Sequence, residues 1–163
     1  MEDLKKMPKH ILVVDDEKSI RDILMDYLNE YGYEVTCAGS GQEALKIYKQ
    51  GRFDVILSDL LMEPMDGLEL LNKIREINPD AIFIMITGYP SIKSSIEAIK
   101  KGAKDYITKP FNIDEIKMKI ERALLDQNFQ GRLKNTQGIV WALIFSIPVW
   151  LALGIILAKV MMK

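Results

Sequence analysis

The sequence predicts an α/β fold in which a doubly wound parallel sheet is covered by helices on both faces. Short apolar runs alternate with longer amphipathic stretches about five times along residues 1–126. Two of these runs, 11–14 and 81–86, are apolar at every position, which is typical of strands that are buried on both faces. Regular alternation of strands and helices indicates a parallel sheet.

The strands are predicted from short apolar or β-branched runs that lie between turn residues. In chain order they are Ile11–Val14, Glu34–Ala38, Phe53–Ser58, Ala81–Ile86 and Asp105–Thr108. Each run has the usual length of a strand in a globular domain. The sheet is therefore predicted to have five strands, each followed by a helix.

Each helix is predicted from apolar residues three or four positions apart, which form one stripe along a helix. In chain order the stripes are Ile20, Ile23, Leu24, Tyr27, Leu28 and Tyr31; Ala44, Leu45 and Tyr48; Leu68, Leu70, Leu71 and Ile74; Ile92, Ile96 and Ile99; and Ile113, Ile116, Ile120 and Leu124. Ser40 is a suitable cap for the second helix, and Gly32 and Gly102 follow the first and the fourth. We expect the stripes to face the sheet.

The charged residues divide the chain into two parts. All 23 Asp and Glu residues lie in 1–126, whereas the remainder has no acid and carries Arg132, Lys134, Lys159 and Lys163. An acidic domain lacks the positive field that neutralises phosphates, so we expect no nucleic-acid partner. Because the chain has one cysteine and one histidine, an internal disulfide and a Cys/His zinc site are excluded.

The end of the chain predicts a membrane span. Residues 138–158 contain no charge, and as a helix at about 1.5 Å per residue they extend about 31 Å, close to the thickness of a hydrocarbon core. We predict a domain at 1–126, a linker or extension of the last helix at 127–137, a transmembrane helix at 138–158 and a short tail at 159–163. The polar N-terminus has no signal-peptide core, so the domain is expected on the cytoplasmic side of the cell inner membrane, with a single pass.

Small residues recur along the predicted span. They are Gly138, Ala142, Ser146, Gly154 and Ala158, four apart except where Trp150 intervenes. Such spacing lets helices approach closely in a bilayer. It predicts that the span packs against another membrane helix, either that of a sensor kinase or its own copy in a homodimer.

Polar residues follow four of the five predicted strands. Asp15 and Asp16 follow the first, Asp59 the third, Thr87 the fourth and Lys109 the fifth. In an open parallel sheet the carboxyl ends of the strands meet at one crevice. Clustered carboxylates repel one another and need a hard cation, for which magnesium is suited. Since there is no P-loop and no Ser-His-Asp set, a carboxylate nucleophile that takes a phosphoryl group remains.

These residues carry a family resemblance. Val13-Val14-Asp15-Asp16-Glu17, Asp59 followed by Met65-Asp66-Gly67, Thr87-Gly88, and Asp105-Tyr106-Ile107-Thr108-Lys109-Pro110-Phe111 occur in that order. Over Lys9 to Asp126 the chain resembles a response-regulator receiver domain of two-component signalling. The resemblance implies a flavodoxin-like sheet of order 2-1-3-4-5. It also implies a signalling module rather than an enzyme, with limited self-phosphorylation and self-dephosphorylation.

The resemblance also implies the role of each site residue. Asp59 would accept a phosphoryl group from the phosphohistidine of a sensor histidine kinase or phosphotransfer protein. Asp15, Asp16, Asp59 and the backbone carbonyl of Leu61 would hold magnesium. Lys109 would pair with the phosphate. Thr87 and Tyr106 would form the switch, in which Thr87 takes a phosphoryl oxygen and Tyr106 turns inward.

Several residues allow two interpretations. Glu63 stands where the family usually has proline, and Pro64 follows it, so the loop after Asp59 is expected to be slightly rearranged. Pro110 either follows a cis bond, as in the family, or starts a helix. Asp66 and Gly67 are interpreted as a helix-start turn.

Two further interpretations concern residues away from the crevice. His10 is expected to face solvent or to act as a cap. The lysines Lys100, Lys101 and Lys104 form either a solvated face or a docking surface.

Two functions remain open from the sequence. The first is a membrane-tethered phospho-acceptor that switches partner binding. The second is a membrane-anchored scaffold or phosphate sink with no switch output of its own. Intact acidic and lysine residues in the predicted crevice favour the first.

Overall fold

The computed structural model describes residues 8–127 and residue 146. By contacts between residues the chain divides into two compact units, Met1–Leu124 and Leu125–Lys163. The predicted linker, membrane span and tail lie outside the described residues, apart from Gln127 and Ser146, and stay predictions.

Strands and helices alternate throughout the described part of the chain. In order they are β1 His10–Val14, α1 Lys18–Glu30, β2 Glu34–Ala38, α2 Gly41–Gln50, β3 Val55–Asp59, α3 Gly67–Ile77, β4 Ile82–Thr87, α4 Ile92–Lys100 and β5 Asp105–Thr108, followed by a fifth helix, α5, over residues 113–127. All five predicted strands and helices are therefore present within residues 8–127.

The sheet formed by residues 10–108 has the order β2-β1-β3-β4-β5, and every neighbouring pair is parallel. The predicted order 2-1-3-4-5 is confirmed. Strands β1 and β3 are neighbours at the centre, and the chain reverses its direction of winding between them. A crevice at the carboxyl ends of the strands is expected at such a reversal.

The core consists of two layers because alternate residues of each strand point to opposite faces of the sheet. On one face Leu12, Ile56 and Phe83 pack with buried residues of α2, α3 and α4. On the other face Ile11 and Leu57 pack with buried residues of α1 and α5. Burial on both faces explains why the central strands are apolar at every position.

The central strands end later than the sequence predicts. Strand β3 includes Asp59 and β4 includes Thr87 as their last residues, rather than ending at Ser58 and Ile86. Asp59 pairs in register with Ile86. The two predicted site residues are thus fixed by the hydrogen-bonded ladder instead of lying in loops.

The prediction that the apolar stripe of α4 faces the sheet is wrong. Ile92, Ile96 and Ile99 are 82%, 49% and 50% exposed, and Ala98 is the residue of α4 that is buried. The sheet is contacted through this small side chain, so the larger isoleucines lie on the outer side of the helix. The fourth helix therefore packs thinly on the sheet, which periodicity alone does not reveal.

The stripe of α1 is only partly buried. Leu24 and Leu28 are almost fully buried, but Ile23, Tyr27 and Tyr31 are 44%, 46% and 40% exposed. Tyr31 donates a hydrogen bond to Asp114 (3.1 Å). Its hydroxyl is thus bonded to α5, and only the inner half of the predicted stripe belongs to the core.

The expectation that His10 faces solvent or acts as a cap is wrong. Its ring is half-buried, lies 4.5 Å from the ring of Phe53 between centroids, and has Nε2 2.8 Å from Thr36 Oγ1. Its backbone N–H donates to Asp54. His10 therefore joins β1 to β2 and to the start of β3 at the end of the sheet opposite the crevice.

Cys37 is the single cysteine of the chain and lies half-buried on edge strand β2. Burial raises the pKa of its thiol, and Arg21 opposes this only in part.

No helix among the described residues is both long and apolar enough to cross a membrane.

Candidate functional site

An acidic crevice lies at the carboxyl ends of β1 and β3. Among the described residues, ligand oxygens of Asp15, Asp16 and Asp59 all lie within 4.8 Å of one another. Asp15 and Asp59 are 2% and 8% exposed, whereas Asp16 is exposed. The predicted carboxylates are therefore brought together, two at the floor of the crevice and one at its mouth.

Lys109 bridges the two buried carboxylates. Its Nζ donates to Asp15 Oδ2 at 2.6 Å and to Asp59 Oδ2 at 3.1 Å. The backbone N–H of Lys109 donates to the carbonyl of Thr87 at 2.7 Å, so β4 fixes the point from which the side chain enters. The lysine thus lies where the predicted site requires a positive charge.

Backbone amides hold the remaining oxygens. Asp15 Oδ1 accepts from the N–H of Glu17 at 2.9 Å. Asp59 Oδ1 accepts from the N–H groups of Leu60 at 2.7 Å and Leu61 at 3.4 Å. Each buried carboxylate is therefore oriented on one oxygen by the backbone and on the other by Lys109.

The crevice contains more negative than positive charge. Burial raises the pKa of Asp15 above its ordinary value, although the hydrogen bond from Lys109 opposes the shift. For Lys109, burial lowers the pKa, but the bonds and charges of Asp15 and Asp59 outweigh burial and raise it. The two shifts thus have different causes, burial for Asp15 and the two bonded carboxylates for Lys109. Three carboxylates share one ammonium group, so an added cation is favoured there.

The three carboxylates fit a divalent cation by their chemistry. Magnesium takes oxygen ligands, and one or two carboxylates with water and a substrate phosphate satisfy it. Asp15, Asp16 and Asp59 would supply the carboxylate oxygens. The carbonyl of Leu61 stays a predicted ligand, and the Leu61 side chain at the mouth is 52% exposed.

Arg21 supports the crevice and was not predicted from the sequence. Its Nη1 donates to the carbonyls of Asp15 at 2.6 Å and Asp16 at 3.0 Å. The guanidinium group therefore holds the backbone that carries both acids. An arginine one turn into the helix after paired aspartates is the signal that could have revealed it.

Gly67 is a second supporting residue whose role was missed. It starts α3 after Asp66, which caps the helix by accepting from the N–H of Glu69, so the interpretation of a helix-start turn is confirmed. A Cβ at Gly67 would lie 2.3 Å from the carbonyl oxygen of Asp59 and 2.8 Å from Sδ of Met85. Glycine is thus required because the helix begins directly against the backbone of Asp59.

Thr87 and Tyr106 lie on neighbouring strands. Thr87 is fully buried and its Oγ1 accepts from the N–H of Tyr89 at 3.2 Å. Tyr106 is half-buried in the middle of β5, with its hydroxyl 3.3 Å from Ser94 Oγ on α4. Both predicted switch residues are therefore connected to the β4–α4 region.

Within residues 8–127 two peptide bonds before prolines are cis, Glu63–Pro64 and Lys109–Pro110. The cis interpretation of Pro110 is therefore confirmed, and α5 begins only at residue 113. The other bond lies in the loop after Asp59, where the sequence departs from the family pattern.

Asp15→Asn is expected to raise the stability of the metal-free domain, because burial disfavours the charged form of Asp15 and Lys109 keeps its bond to Asp59, and to reduce the stabilisation by magnesium. The raised pKa of Asp15 means that the folded domain holds this proton longer than the unfolded chain. The contribution of Asp15 to stability is therefore greatest below the ordinary carboxyl pKa and is lost as pH rises through the raised value. Thermal unfolding in EDTA and in excess magnesium measures both effects.

Asp22→Asn is the control, because Asp22 forms only an exposed ion pair with Lys18, which contributes little. A lower unfolding midpoint of Asp15→Asn in EDTA would contradict the prediction.

Known proteins resemble this chain in sequence and in structure. The family model described as "Response regulator receiver domain" matches residues 11–121. A response regulator receiver domain protein (CheY-like) from Methanospirillum hungatei has a similar structure, with a TM-score of 0.73 and 36% identity over 76% of this chain and 98% of that one. A response regulator protein from Thermotoga maritima, solved in complex with Mg²⁺-BeF, has a TM-score of 0.65 and 40% identity over 71% of this chain and 98% of that one.

Among curated proteins, the transcriptional regulatory protein ZraR of Escherichia coli is 40% identical over 114 residues, which is 70% of this chain and 26% of that protein. The chain thus spans about a quarter of the length of this relative. The family match, the sheet order and the acidic crevice lead to one conclusion. The chain belongs to the response regulator receiver domain family.

Proposed function

We propose that the chain is the phospho-acceptor of a two-component phosphorelay, in which Asp59 takes a phosphoryl group from a phosphohistidine on a sensor histidine kinase or phosphotransfer protein. The observation that carries the proposal is the set of three carboxylates within 4.8 Å, with Lys109 bonded to two of them. An acceptor carboxylate, a cation site and a fixed positive charge are what phosphoryl transfer to aspartate needs.

In the proposed transfer a carboxylate oxygen of Asp59 forms the new O–P bond. The N–P bond of the phosphohistidine breaks, and its electron pair stays on the departing imidazole. The N–H groups of Leu60 and Leu61 orient Asp59 before the reaction. Lys109 is near enough to pair with the phosphoryl oxygens. Magnesium, when bound, supplies positive charge that offsets the charge of the phosphoryl group.

After transfer, the hydroxyl of Thr87 is proposed to donate a hydrogen bond to a phosphoryl oxygen. At rest that hydroxyl accepts from the N–H of Tyr89, so a new bond at Thr87 affects the segment that leads into α4. Tyr106, which contacts α4, is proposed to change its orientation with it. Partner binding would then depend on the phosphoryl group.

An apolar groove beside the crevice is a suitable docking site for a helix of the protein that donates the phosphoryl group. It has a volume of about 630 Å³ and is lined by α1, the segment after β4 and the segment after β5, including Ile20, Ile23, Tyr89 and Phe111. Lys109 also lines it, so whatever occupies the groove lies next to Asp59. We propose that it receives an apolar helix face of the protein that carries the phosphohistidine.

The site of phosphorylation can be tested directly. The full chain is incubated with acetyl phosphate and magnesium, and the acyl phosphate is then reduced with borohydride. Mass spectrometry of the peptides is expected to place the reduced residue at position 59. Modification at another aspartate, or none in the presence of magnesium, would overturn the proposal.

We also propose that the chain is held at the cell inner membrane, with the receiver domain on the cytoplasmic side. The support is the uncharged run 138–158 with its basic flanks. In carbonate-washed membranes the full chain should stay in the pellet, and a variant that ends at residue 137 should be released. Release of both would contradict the proposed attachment to the membrane.

The name of ZraR refers to transcription, but for this acidic chain we propose no nucleic-acid partner.

A further inference from the structure

Tyr106 is bonded to two helices, to α5 through its backbone carbonyl and to α4 through its hydroxyl. It pairs with Met85 in the sheet and packs against the core layer that includes α4. On the side of α5, Lys119 Nζ donates to the carbonyl of Tyr106 at 3.3 Å and to Asp105 Oδ1 at 2.7 Å. The N–H of Tyr106 also donates to Asp105 Oδ1 at 2.7 Å. The backbone of Tyr106 is therefore held from the side of α5.

The hydroxyl of Tyr106 meets the first turn of α4. Ser94 Oγ lies 3.3 Å from it and also belongs to the capping box that starts the helix. In that box the N–H of Ser91 donates to Ser94 Oγ at 3.3 Å, and Ser94 Oγ donates to the carbonyl of Ser91 at 3.0 Å. A hydroxyl has one proton and two lone pairs. Ser91 Oγ also lies 2.8 Å from Ser94 Oγ, so Ser94 shares its hydroxyl between Ser91 and Tyr106.

The same turn is connected to the phosphorylation site. The segment between β4 and α4 begins at Thr87, whose Oγ1 accepts from the N–H of Tyr89, and it ends at the Ser91 cap. A change in the bond at Thr87 therefore reaches Ser94 through only a few residues. No other contact between the Tyr106 hydroxyl and a side chain of α4 is shown within the described residues.

We infer that Ser94 is a positioning residue that holds the ring of Tyr106 in its resting orientation through the hydrogen bond between the two hydroxyl groups. The ring is released when the segment from Thr87 to Ser91 rearranges. This inference rests on the proposed function, because it describes how that switch is restrained. It makes the start of α4 the restraint on the switch.

The test uses beryllofluoride with magnesium as the phosphoryl mimic on the full chain in detergent. Ser94→Ala and Tyr106→Phe each remove the bond and are expected to lower the half-saturating beryllofluoride concentration about two- to fivefold, as for one neutral hydrogen bond. The double variant should show no more than the larger single effect, because the two changes remove the same contact. Ser94→Thr keeps the hydroxyl and should behave as the wild type.

A purely structural role of Ser94 predicts a different pattern. Loss of the helix cap alone would lower the melting temperature of Ser94→Ala and leave Tyr106→Phe without effect on beryllofluoride binding. Additive effects, or an unchanged half-saturation in Tyr106→Phe, would overturn the inference.

A second measurement separates this inference from the proposed function. With 3-fluorotyrosine incorporated, the ¹⁹F resonance of Tyr106 is identified by its absence in Tyr106→Phe. Without any ligand, Ser94→Ala should shift that resonance and Ser94→Thr should not. An unshifted resonance would overturn the inference even if Asp59 is phosphorylated. A shifted resonance in a chain that takes no beryllofluoride would support the contact and reject the phosphoryl switch.

Discussion

Asp59→Asn is expected to abolish phosphoryl acceptance while the domain stays folded. The amide has nearly the shape of the carboxylate, and its oxygen can still accept from the N–H of Leu60. The bond from Lys109 to the second oxygen is lost, but Lys109 keeps its bond to Asp15. The amide is not a nucleophile, however, so no acyl phosphate can form. Phosphate-affinity electrophoresis after incubation with acetyl phosphate and magnesium should show a shifted band for the wild type and none for the variant.

Asp54→Asn is the matched control on the same strand region. Asp54 bonds Lys9 and the backbone of His10 at the opposite end of β3. We expect it to be phosphorylated as fully as the wild type, with a small loss of stability. Retained phosphorylation in Asp59→Asn would show that another residue is the acceptor.

The same variant distinguishes the switch from the scaffold. Partners are captured from gently solubilised membranes with the wild type, under conditions in which it is shown to be phosphorylated, and with Asp59→Asn. A partner that is retained by the wild type and lost by the variant identifies a tethered switch and its output. Identical sets from both would favour the scaffold or phosphate sink.

Gly67→Ala is expected to destabilise the domain by about 2–4 kcal/mol. The added Cβ would lie 2.3 Å from the carbonyl oxygen of Asp59 and 3.0 Å from Cα of Leu60, which are backbone atoms that cannot rotate away. Alanine is the better helix former by up to about 1 kcal/mol. A net loss in the free energy of unfolding is therefore caused by the steric clash. Urea unfolding of the full chain in detergent measures the free energy.

The loss should be accompanied by slower phosphorylation, because relief of the clash displaces Asp59. Gly88→Ala is the control next to the same crevice. Its Cβ would meet only Lys109 Cδ at 3.9 Å, an ordinary contact, so its stability should change by less than about 0.5 kcal/mol. Equal stability of Gly67→Ala and Gly88→Ala would contradict the close approach.

Much of the fold could be predicted because the central strands are buried on both faces. Continuous apolar runs as short as 11–14 and 81–86, bounded by polar or turn residues, favour buried strands over helices. Asp15, Asp59 and Lys109 could be located because they directly follow or end such runs. Their shared crevice is a consequence of parallel strands, and parallel strands follow from the alternation of strand and helix.

The remaining features depend on contacts that no periodicity contains. The stripe of α4 is regular, yet Ala98 decides which side faces the sheet. Arg21 and Ser94 act on backbone or side chains of distant elements, and their residue types have many ordinary uses on helices. Gly67 was interpreted correctly as a turn, but its distance to Asp59 depends on how α3 meets β3.

The position of Cys37 allows local opening of the sheet to be measured through the rate at which its thiol is alkylated. It is the one thiol of the chain, it is half-buried, and its raised pKa disfavours the reactive thiolate. Because the thiol donates to the carbonyl of Arg21 on α1 (3.8 Å), alkylation is expected to proceed chiefly when α1 moves away from edge strand β2. The rate of thiol labelling then measures how often this edge of the sheet opens locally. The measurement uses the native cysteine and needs no engineered probe.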